Sequence, residues 1–488
     1  MTTSAPTRVS RASVGLRSER GPVLLSVMLS TGLVAIDATI LAAAVPAVVR
    51  DLGGLSQFPW LFSIYLLAQA VSVPIYGKVA DLVGRKPVML LGVALFLAGS
   101  LLCGLAWSMG ALIAFRALQG LGAGAVQPVG MTIVGDIYSV AERATVQGYI
   151  AAVWAISSLV GPTLGGLFAD YASWRWIFLV NLPLGAVAAW MLWRRFDEQP
   201  RVRDPERARP KVDVLGTVLM LVGTVALLVA LLEGGVLWAW VSPVSIGLLI
   251  GSVLVLVAFV LVERRAAEPV LPLWVFRHRV VGAAMGTSLV VGVLLLGLTS
   301  YVPLFAQGVL GTGAIVAGFA LAAMTIGWPI AATTSGRLYL RFGFRTTMLI
   351  GSVIAVAGAA LLLTVGADSS VLHLAAPNFV MGLGFGYVAS PAIVAAQSSV
   401  GWERRGVATG ATLFARSVGS AVGVAAFGAI ANTVVRNRLG SEPTSLETLP
   451  AGVLDPAIHA VFLASFLVAL TLVVAAAFMP KKVVEVTG

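Results

Sequence analysis

Asp37 is the residue of this sequence best placed to do chemistry, because it is the one acidic residue deep within an apolar run. A carboxyl group in such a setting can bind a proton from one side and release it on the other, or exchange a proton for a cationic ligand. It can also stay permanently neutral and act only as a hydrogen-bonding group. Asp136 and Glu233 stand at the ends of apolar runs, where water is closer.

Two arginines, Arg116 and Arg416, also lie inside apolar runs. An arginine in lipid is costly unless a charged partner, backbone carbonyls or a water-filled cavity surrounds it. Arg116 is therefore predicted either to take part in proton coupling or to be a structural charge that is hydrogen-bonded to carbonyls. Arg416 is predicted to face a cavity.

The other reactive residues form no catalytic or metal-binding constellation. Cys103 is the only cysteine and the three histidines are scattered, so the sequence predicts no internal disulfide, no metal site and no cofactor. The segment GLGAG at Gly120 follows no strand and precedes no Gly-Lys-Ser/Thr, so it is not a phosphate loop. The expectation is a protein that is not an enzyme. An ATP-driven pump would need a separate ATPase subunit, and a passive channel would not depend on Asp37.

These residues belong to a chain of 488 residues that is 59% hydrophobic and 11% charged, with a mean hydropathy of +0.97. Soluble domains are about 45–50% apolar and about 25% charged, so this chain cannot cover itself with polar surface in water. A helix of about 20 apolar residues crosses a bilayer, and the apolar runs are too long for barrel strands. They predict an all-α integral membrane protein with fourteen transmembrane helices, at 22–50, 57–76, 87–107, 111–136, 143–168, 176–194, 214–233, 241–262, 280–307, 313–335, 346–366, 371–398, 406–435 and 457–479.

The basic residues orient these helices, because cytoplasmic loops carry an excess of Lys and Arg. With a cytoplasmic N-terminus, 26 of the 32 Lys and Arg fall in cytoplasmic segments and only 4 on the opposite side. The sequence thus predicts a multi-pass protein of the cell's inner (plasma) membrane with both termini in the cytoplasm. The formal charge of +11 reflects this topology, and no nucleic-acid partner is predicted.

The chain repeats itself at an offset of about 260 residues. GKVADLVGRKP from Gly77 matches GRLYLRFGFRT from Gly336, and a shift of 262 places Arg143 on Arg405. Helices 1–6 and 9–14 are therefore predicted to be two parallel six-helix bundles, with helices 7 and 8 as inserted linker helices and a binding site between the bundles. The predicted segments are a cytoplasmic tail (1–21), the N-terminal bundle (22–196), a cytoplasmic basic linker (197–213), the inserted helices (214–263), a second cytoplasmic linker (264–279), the C-terminal bundle (280–480) and a cytoplasmic tail (481–488).

GKVADLVGRKP resembles the loop 2–3 signature of the major facilitator superfamily, in which a tight turn carries an acid and a basic cluster. The second copy has Leu340 in place of Asp81, so a latch built here is expected to be asymmetric. Topology anchoring by Arg85 and Lys86 alone is the alternative. The resemblance implies a cytoplasmic latch between the bundles that consists of the signature residues and two partners near the end of helix 4: Gly77, Asp81, Gly84, Arg85, Lys86, Asp136 and Arg143.

Three further segments resemble superfamily signatures, so the resemblance covers essentially the whole chain. RALQGLGAGA from Arg116 is similar to the helix 4 signature, and AIDATILAAAVP, which contains Asp37, is similar to the helix 1 signature of the fourteen-helix drug:proton antiporter group. These two matches imply that Asp37 and Arg116 couple transport to protons. The helix 5 signature of exporters is matched by GYIAAVWAISSLVGPTLGG, with Ser in place of one expected Gly: Gly148, Ser157, Gly161, Pro162, Gly165 and Gly166.

A substrate cavity is expected between the bundles. One acid, few hydrogen-bonding groups and much apolar wall favour bulky amphiphiles over sugars or phosphates. The residues predicted to line the cavity are Gln127, Tyr149, Trp154, Asn181, Tyr301, Gln307, Trp328, Asn378 and Arg416.

The resemblance implies a proton-coupled exporter, or antiporter, of hydrophobic or amphiphilic compounds such as drugs, which works by alternating access. The alternative is an exporter or flippase of lipids or cell-envelope precursors on the same fold, with a passenger from the bilayer and an envelope partner protein. The predicted partners are a small hydrophobic or amphiphilic substrate, protons and the lipid bilayer, and the chain is expected to be a monomer.

Overall fold

The computed structural model describes the residues numbered 14–53, 57–58, 60–198, 213–234, 237–266, 268–439, 449–483 and 486. Within these residues, fourteen helices are long and apolar enough to cross a membrane. They are α1 (Gly21–Leu52), α2 (Trp60–Val83), α3 (Arg85–Gly104), α4 (Met109–Ile137), α5 (Val140–Tyr171), α6 (Asn181–Arg195, after a short helix at Trp176–Leu179), α7 (Val214–Glu233), α8 (Pro243–Glu263), α9 (Arg279–Gly308), α10 (Ala314–Phe342), α11 (Phe344–Leu362), α12 (Val371–Ser398), α13 (Arg405–Leu439) and α14 (Ala451–Ala477). The prediction of an all-α membrane protein with fourteen transmembrane helices is confirmed. Most of the predicted N-terminal tail (1–13) and most of the predicted basic linker (199–212) lie outside the described residues.

Most helix ends lie within four residues of the prediction, and three differ by six or seven residues: the end of α2, the end of α10 and the start of α14. α2 continues beyond the predicted end at 76, because the polar residues that follow extend its hydrogen-bonded turns as far as Gly84. Gly84 has a φ of +118°, which residues with side chains rarely adopt, and it lets α3 begin at Arg85. α14 begins at Ala451, before the predicted start at 457, so Asp455 and Pro456 lie inside the helix and not before it.

The helices pack in the same pattern twice. In the first bundle α1 packs against α5 and α6, α2 against α4, and α3 against α4 and α6. In the second bundle α9 packs against α13 and α14, α10 against α12, and α11 against α12 and α14. Helices α1–α6 and α9–α14 are therefore two bundles built on one plan, as the internal repeat predicts.

The two bundles meet along two seams, one between α2 and α13 and one between α5 and α10. Small residues let the backbones approach at matching points of the two seams. A Cβ on Gly77 would stand 2.6 Å from the carbonyl oxygen of Gly406, and a Cβ on Gly336 would overlap Ala144. Both points lie on the side of the molecule that carries the loops after α2 and α10, which we call the closed face.

The inserted helices α7 and α8 pack against each other, and α7 also packs against α2 and α13. Leu228 of α7 joins an apolar cluster with Leu67 of α2 and Ala421 of α13. The inserted pair therefore lies over one of the two seams.

Candidate functional site

Asp37 and Arg116 form a buried ion pair inside the first bundle. Arg116 Nη1 donates to Asp37 Oδ2 over 2.5 Å, and each side chain is 1% exposed. At ~1.5 Å per residue, Asp37 lies about 24 Å from the end of α1 at the closed face. Arg116 lies about 10 Å from the end of α4 at the opposite face. The two helices thus bring the residues to one depth, beyond the middle of the membrane.

Gln119 joins this pair into what we call the Asp37 network. Its amide nitrogen donates to Asp37 Oδ1 over 2.8 Å, and its amide oxygen accepts from Arg116 Nη1 over 2.8 Å. Gln119 also donates to the hydroxyl of Ser100 over 2.8 Å, and Asn181 donates to the same hydroxyl over 3.3 Å. Helices α1, α3, α4 and α6 therefore each contribute a polar side chain to one buried network.

The Arg116 guanidinium has two further neighbours. Its Nε donates to the backbone carbonyl of Leu61 over 3.1 Å, and its Cζ lies 4.2 Å from the centre of the Tyr65 ring. The two carboxyl oxygens of Asp37 thus each accept one hydrogen bond, Oδ2 from Arg116 and Oδ1 from Gln119.

A second group of charges joins the two bundles at the closed face. Asp81, near the end of α2, accepts from the backbone N–H groups of Gly406 over 3.0 Å and of Val407 over 2.8 Å. These amides belong to the first turn of α13, where backbone N–H groups lack partners within the helix and favour an anion. Asp81 therefore ties the first bundle to the N-terminus of a helix in the second.

Arg85 is at the centre of this group, and its side chain is fully buried. It pairs with Asp81 over 3.0 Å and with Asp136 over 2.9 Å, and its Cζ stacks 3.7 Å from the centre of a Trp402 ring. Arg405 of α13 pairs with Asp136 over 3.1 Å. We call Asp81, Arg85, Asp136, Trp402 and Arg405 the latch cluster.

The other residues predicted for a latch lie around this cluster in different roles. Gly77 allows close approach of α13, and Gly84 makes the turn into α3. Arg143 donates to the backbone carbonyls of Tyr138 and Gly135 within its own bundle. The Lys86 side chain makes no ion pair among the described residues.

Three members of the closed face were not found from the sequence. Glu198 accepts from the backbone N–H groups of Arg85 over 2.7 Å and Lys86 over 3.1 Å, and so caps α3. Trp402 and Arg405 are the other two. Arg405 is the repeat counterpart of a residue predicted for the latch, and that correspondence could have identified it.

A cavity of about 320 Å³ lies between the bundles. Its walls come from α2, α4 and α5 of the first bundle, α9, α10, α12 and α13 of the second, and α7 of the inserted pair. Four of the nine residues predicted from the sequence line it: Gln127, Trp154, Trp328 and Arg416. Gln69, Gln147, Thr325, Ser390, Ser417 and Ser420 are further polar lining residues.

The other five predicted lining residues lie elsewhere, which corrects that part of the interpretation. Tyr149 and Tyr301 pack into the apolar cores of the first and second bundles, and Gln307 is exposed. Asn181 belongs to the Asp37 network, and Asn378 donates to a backbone carbonyl of its own helix. Helices that are apolar on all sides give no sequence signal for which face a polar residue occupies.

The residues of the predicted helix 5 signature lie at two different interfaces. A Cβ on Gly148 would overlap Thr333 of α10 in the other bundle, whereas a Cβ on Gly161 would overlap Thr39 of α1 in the same bundle. The Thr39 hydroxyl also donates to the backbone carbonyl of Ser157 over 3.1 Å. Further along α5 lie Pro162, Gly165 and Gly166.

Comparisons with known proteins agree with this architecture. The family model of the Major Facilitator Superfamily matches residues 27–424. The chain is 35% identical to the multidrug transporter protein MdtP of Bacillus subtilis (strain 168), over 90% of this chain and 80% of the relative. It is 35% identical to multidrug resistance protein 3 of the same bacterium, over 86% and 80%, and 32% identical to the efflux pump dotC of Dothistroma septosporum, over 88% and 73%.

Among solved structures, the human organic anion transporter MFSD10 (TETRAN) covers 94% of this chain and 99% of its own, with a TM-score of 0.68. The sequence identity is 14%, so this likeness concerns the fold alone. The family match, in contrast, spans most of both bundles, and the relatives align over most of their length. The chain therefore belongs to the major facilitator superfamily of membrane transporters, as its signature segments indicate.

Proposed function

We propose that this protein exports small hydrophobic or amphiphilic compounds, drugs among them, in exchange for protons. Relatives at 32–35% identity are named as multidrug transporters and an efflux pump, which supports export of compounds of this class. We place it in the plasma membrane, and the distribution of basic residues supports an orientation with both termini in the cytoplasm. In that orientation the closed face is the cytoplasmic one.

The observation that carries the proton part of this proposal is the burial of Asp37 with Arg116 and Gln119. A proton on Asp37 removes the negative charge that Arg116 neutralises. Because an arginine without a partner is costly in a membrane, protonation favours a different arrangement of α1 and α4. Proton binding is thereby coupled to a movement of helices.

The latch cluster and the cavity support alternating access. Most of the hydrogen bonds that the described residues make between the bundles lie at the closed face, among them those of Asp81, Arg405 and Tyr339. To open this face, Asp81 must leave the amides of α13 and Arg405 must leave Asp136. A rocking of the two bundles that exchanges these contacts for contacts at the other face would expose the cavity to each side in turn.

The test uses proteoliposomes with an imposed pH gradient and three anthracene probes that share one ring system. They are anthracene-9-sulfonate (an anion), anthracene-9-sulfonamide (neutral) and 9-(trimethylammoniomethyl)anthracene (a cation). Probe movement is compared for the wild type, Asp37→Asn and Asp51→Asn. Asp51 is the matched control, because it lies on the same helix but pairs with Arg175 at the exposed end.

We expect gradient-driven movement of at least one probe by the wild type and by Asp51→Asn, and its loss in Asp37→Asn. Movement that is independent of the gradient in all three proteins would contradict proton coupling. If the protein moves a fluorescent phospholipid and transports none of the probes, the proposed function changes from drug export to lipid export.

A further inference from the structure

Arg416 lies in the middle of α13 and lines the cavity between the bundles. It is about 17 Å from the start of α13 at ~1.5 Å per residue, which is close to the midplane of the bilayer. Among the residues that the structure describes, no side chain or backbone group forms a hydrogen bond or ion pair with its guanidinium. The five N–H donors of this group are therefore available to whatever enters the cavity.

None of the described residues that line the cavity carries a negative charge that could neutralise Arg416. No Asp or Glu is among its described lining residues, and Arg416 is the one charged residue among them. The hydroxyls of Thr325, Ser417 and Ser420 each donate to a backbone carbonyl, so they are engaged within the protein. The walls are otherwise mainly apolar, with Trp154 and Trp328 as the aromatic members.

Asp37, the acid deep within a membrane-spanning helix, is not available to Arg416. Asp37 already accepts from Arg116 and Gln119 inside the first bundle, and it is 1% exposed. A positive charge in an apolar cavity at mid-membrane is costly unless it meets an anion. Guanidinium groups match carboxylate, sulfonate and phosphate oxygens with two parallel hydrogen bonds, which makes an oxyanion the complementary ligand.

We propose that Arg416 binds the oxyanion of the transported substrate, so that anionic amphiphiles are the preferred class. The proposal rests on the proposed function for the idea that the cavity receives the substrate. The apolar and aromatic walls would hold the body of such a molecule, and Arg416 would hold its charged end. The cavity volume of about 320 Å³ is at the lower end of the range for ligand pockets, which suits one compact ring system.

Binding of the three anthracene probes to purified protein in phosphatidylcholine nanodiscs tests this assignment. The variants are Arg416→Gln, which removes the charge, and Arg416→Lys, which keeps it. Arg436→Gln is the matched control, because it removes one arginine from the exposed end of the same helix. Binding is measured without a proton gradient, so a failure of proton coupling leaves this test intact.

We expect the wild type and Arg436→Gln to bind anthracene-9-sulfonate more tightly than the sulfonamide and the cation. Arg416→Gln should bind the sulfonate roughly tenfold or more weakly, because the free energy of a hydrogen bond to a charged group corresponds to an affinity change of this size. The same variant should keep its affinity for the neutral sulfonamide, which also shows that the cavity is intact. Arg416→Lys keeps the positive charge and should therefore retain part of the preference for the sulfonate over the sulfonamide.

Two outcomes would overturn the proposal. One is equal affinity of the wild type and Arg416→Gln for the sulfonate, and the other is tightest binding of the cation by the wild type. Competition by phosphatidylglycerol in the nanodisc that disappears in Arg416→Gln would support the oxyanion site and identify a lipid headgroup as its occupant.

Discussion

Two arginines lie within the membrane-spanning helices, and their surroundings are opposite. Arg116 has a carboxylate, an amide and a backbone carbonyl within hydrogen-bond distance. Arg416 has none of these among the residues that the structure describes, and it lines the cavity. The first charge is neutralised inside one bundle, and the second is available between the bundles. The difference separates the group that we propose for protons from the group that we propose for substrate.

The largest effect should follow from removal of the acid that neutralises Arg116. Asp37→Ala leaves a buried guanidinium without its charged partner, which typically costs about 3–5 kcal/mol of stability. Thermal unfolding in nanodiscs, followed by tryptophan fluorescence, measures this loss. Asp51→Ala is the control and should lose much less stability than Asp37→Ala, because the pair of Asp51 with Arg175 is exposed to solvent.

The double variant Asp37→Asn/Arg116→Gln sharpens the comparison. It removes both charges, so it should unfold at a higher temperature than Asp37→Ala. A double variant that is no more stable than Asp37→Ala would show that the ion pair is not the source of the loss.

The latch cluster offers a comparison between the two seams. Asp81→Asn replaces a carboxylate that accepts from the Gly406 and Val407 amides, and a hydrogen bond to a charged group contributes about 1.5–3 kcal/mol. Hydrogen exchange in the peptide that contains these two amides should therefore accelerate. Leu340→Asn, at the repeat-related and exposed position of the other seam, should leave this exchange unchanged. Equal exchange in both variants would contradict the asymmetry of the latch.

Arg416→Gln should change stability in the opposite direction to Asp37→Ala. The variant removes a charge that has no partner among the described residues, and an unsatisfied buried polar group costs about 1–3 kcal/mol. The expected result is an unfolding temperature in nanodiscs equal to or above that of the wild type. A loss as large as that of Asp37→Ala would mean that Arg416 has a structural partner, and the two arginines would then no longer differ.

The smallest effect concerns the exposed pair at the end of α1. Hydrogen bonds from Arg175 and Trp174 lower the pKa of Asp51 below its ordinary value. A carboxyl group whose pKa is lowered by folding stabilises the protein above its ordinary pKa, and this contribution disappears as the pH falls through the lowered value. The unfolding temperatures of wild type and Asp51→Asn should therefore differ slightly near neutral pH and converge below about pH 4. A difference that grows as the pH falls would contradict this sign.

Some of these features could be predicted from the sequence, and others could not. The fourteen helices and the repeat follow from apolar runs and from matching segments at Gly77 and Gly336, which are local signals. The pairing of Asp37 with Arg116 depends on which faces of α1 and α4 meet, and uniformly apolar helices do not encode that face. The contact of Gln119 with Arg116 was weakly indicated by the sequence, since the two residues lie one helical turn apart. Nothing in the sequence indicated the role of Trp402, because its contact with the first bundle joins distant parts of the chain.

The central claim is that Asp37 exchanges its proton in response to substrate. Proton release upon binding of anthracene-9-sulfonamide, followed with a pH indicator in weakly buffered solution, tests it most directly, because this probe brings no charge of its own. We expect release by the wild type and by Asp51→Asn, and none by Asp37→Asn at equal occupancy. Equal release by Asp37→Asn and the wild type would contradict the account.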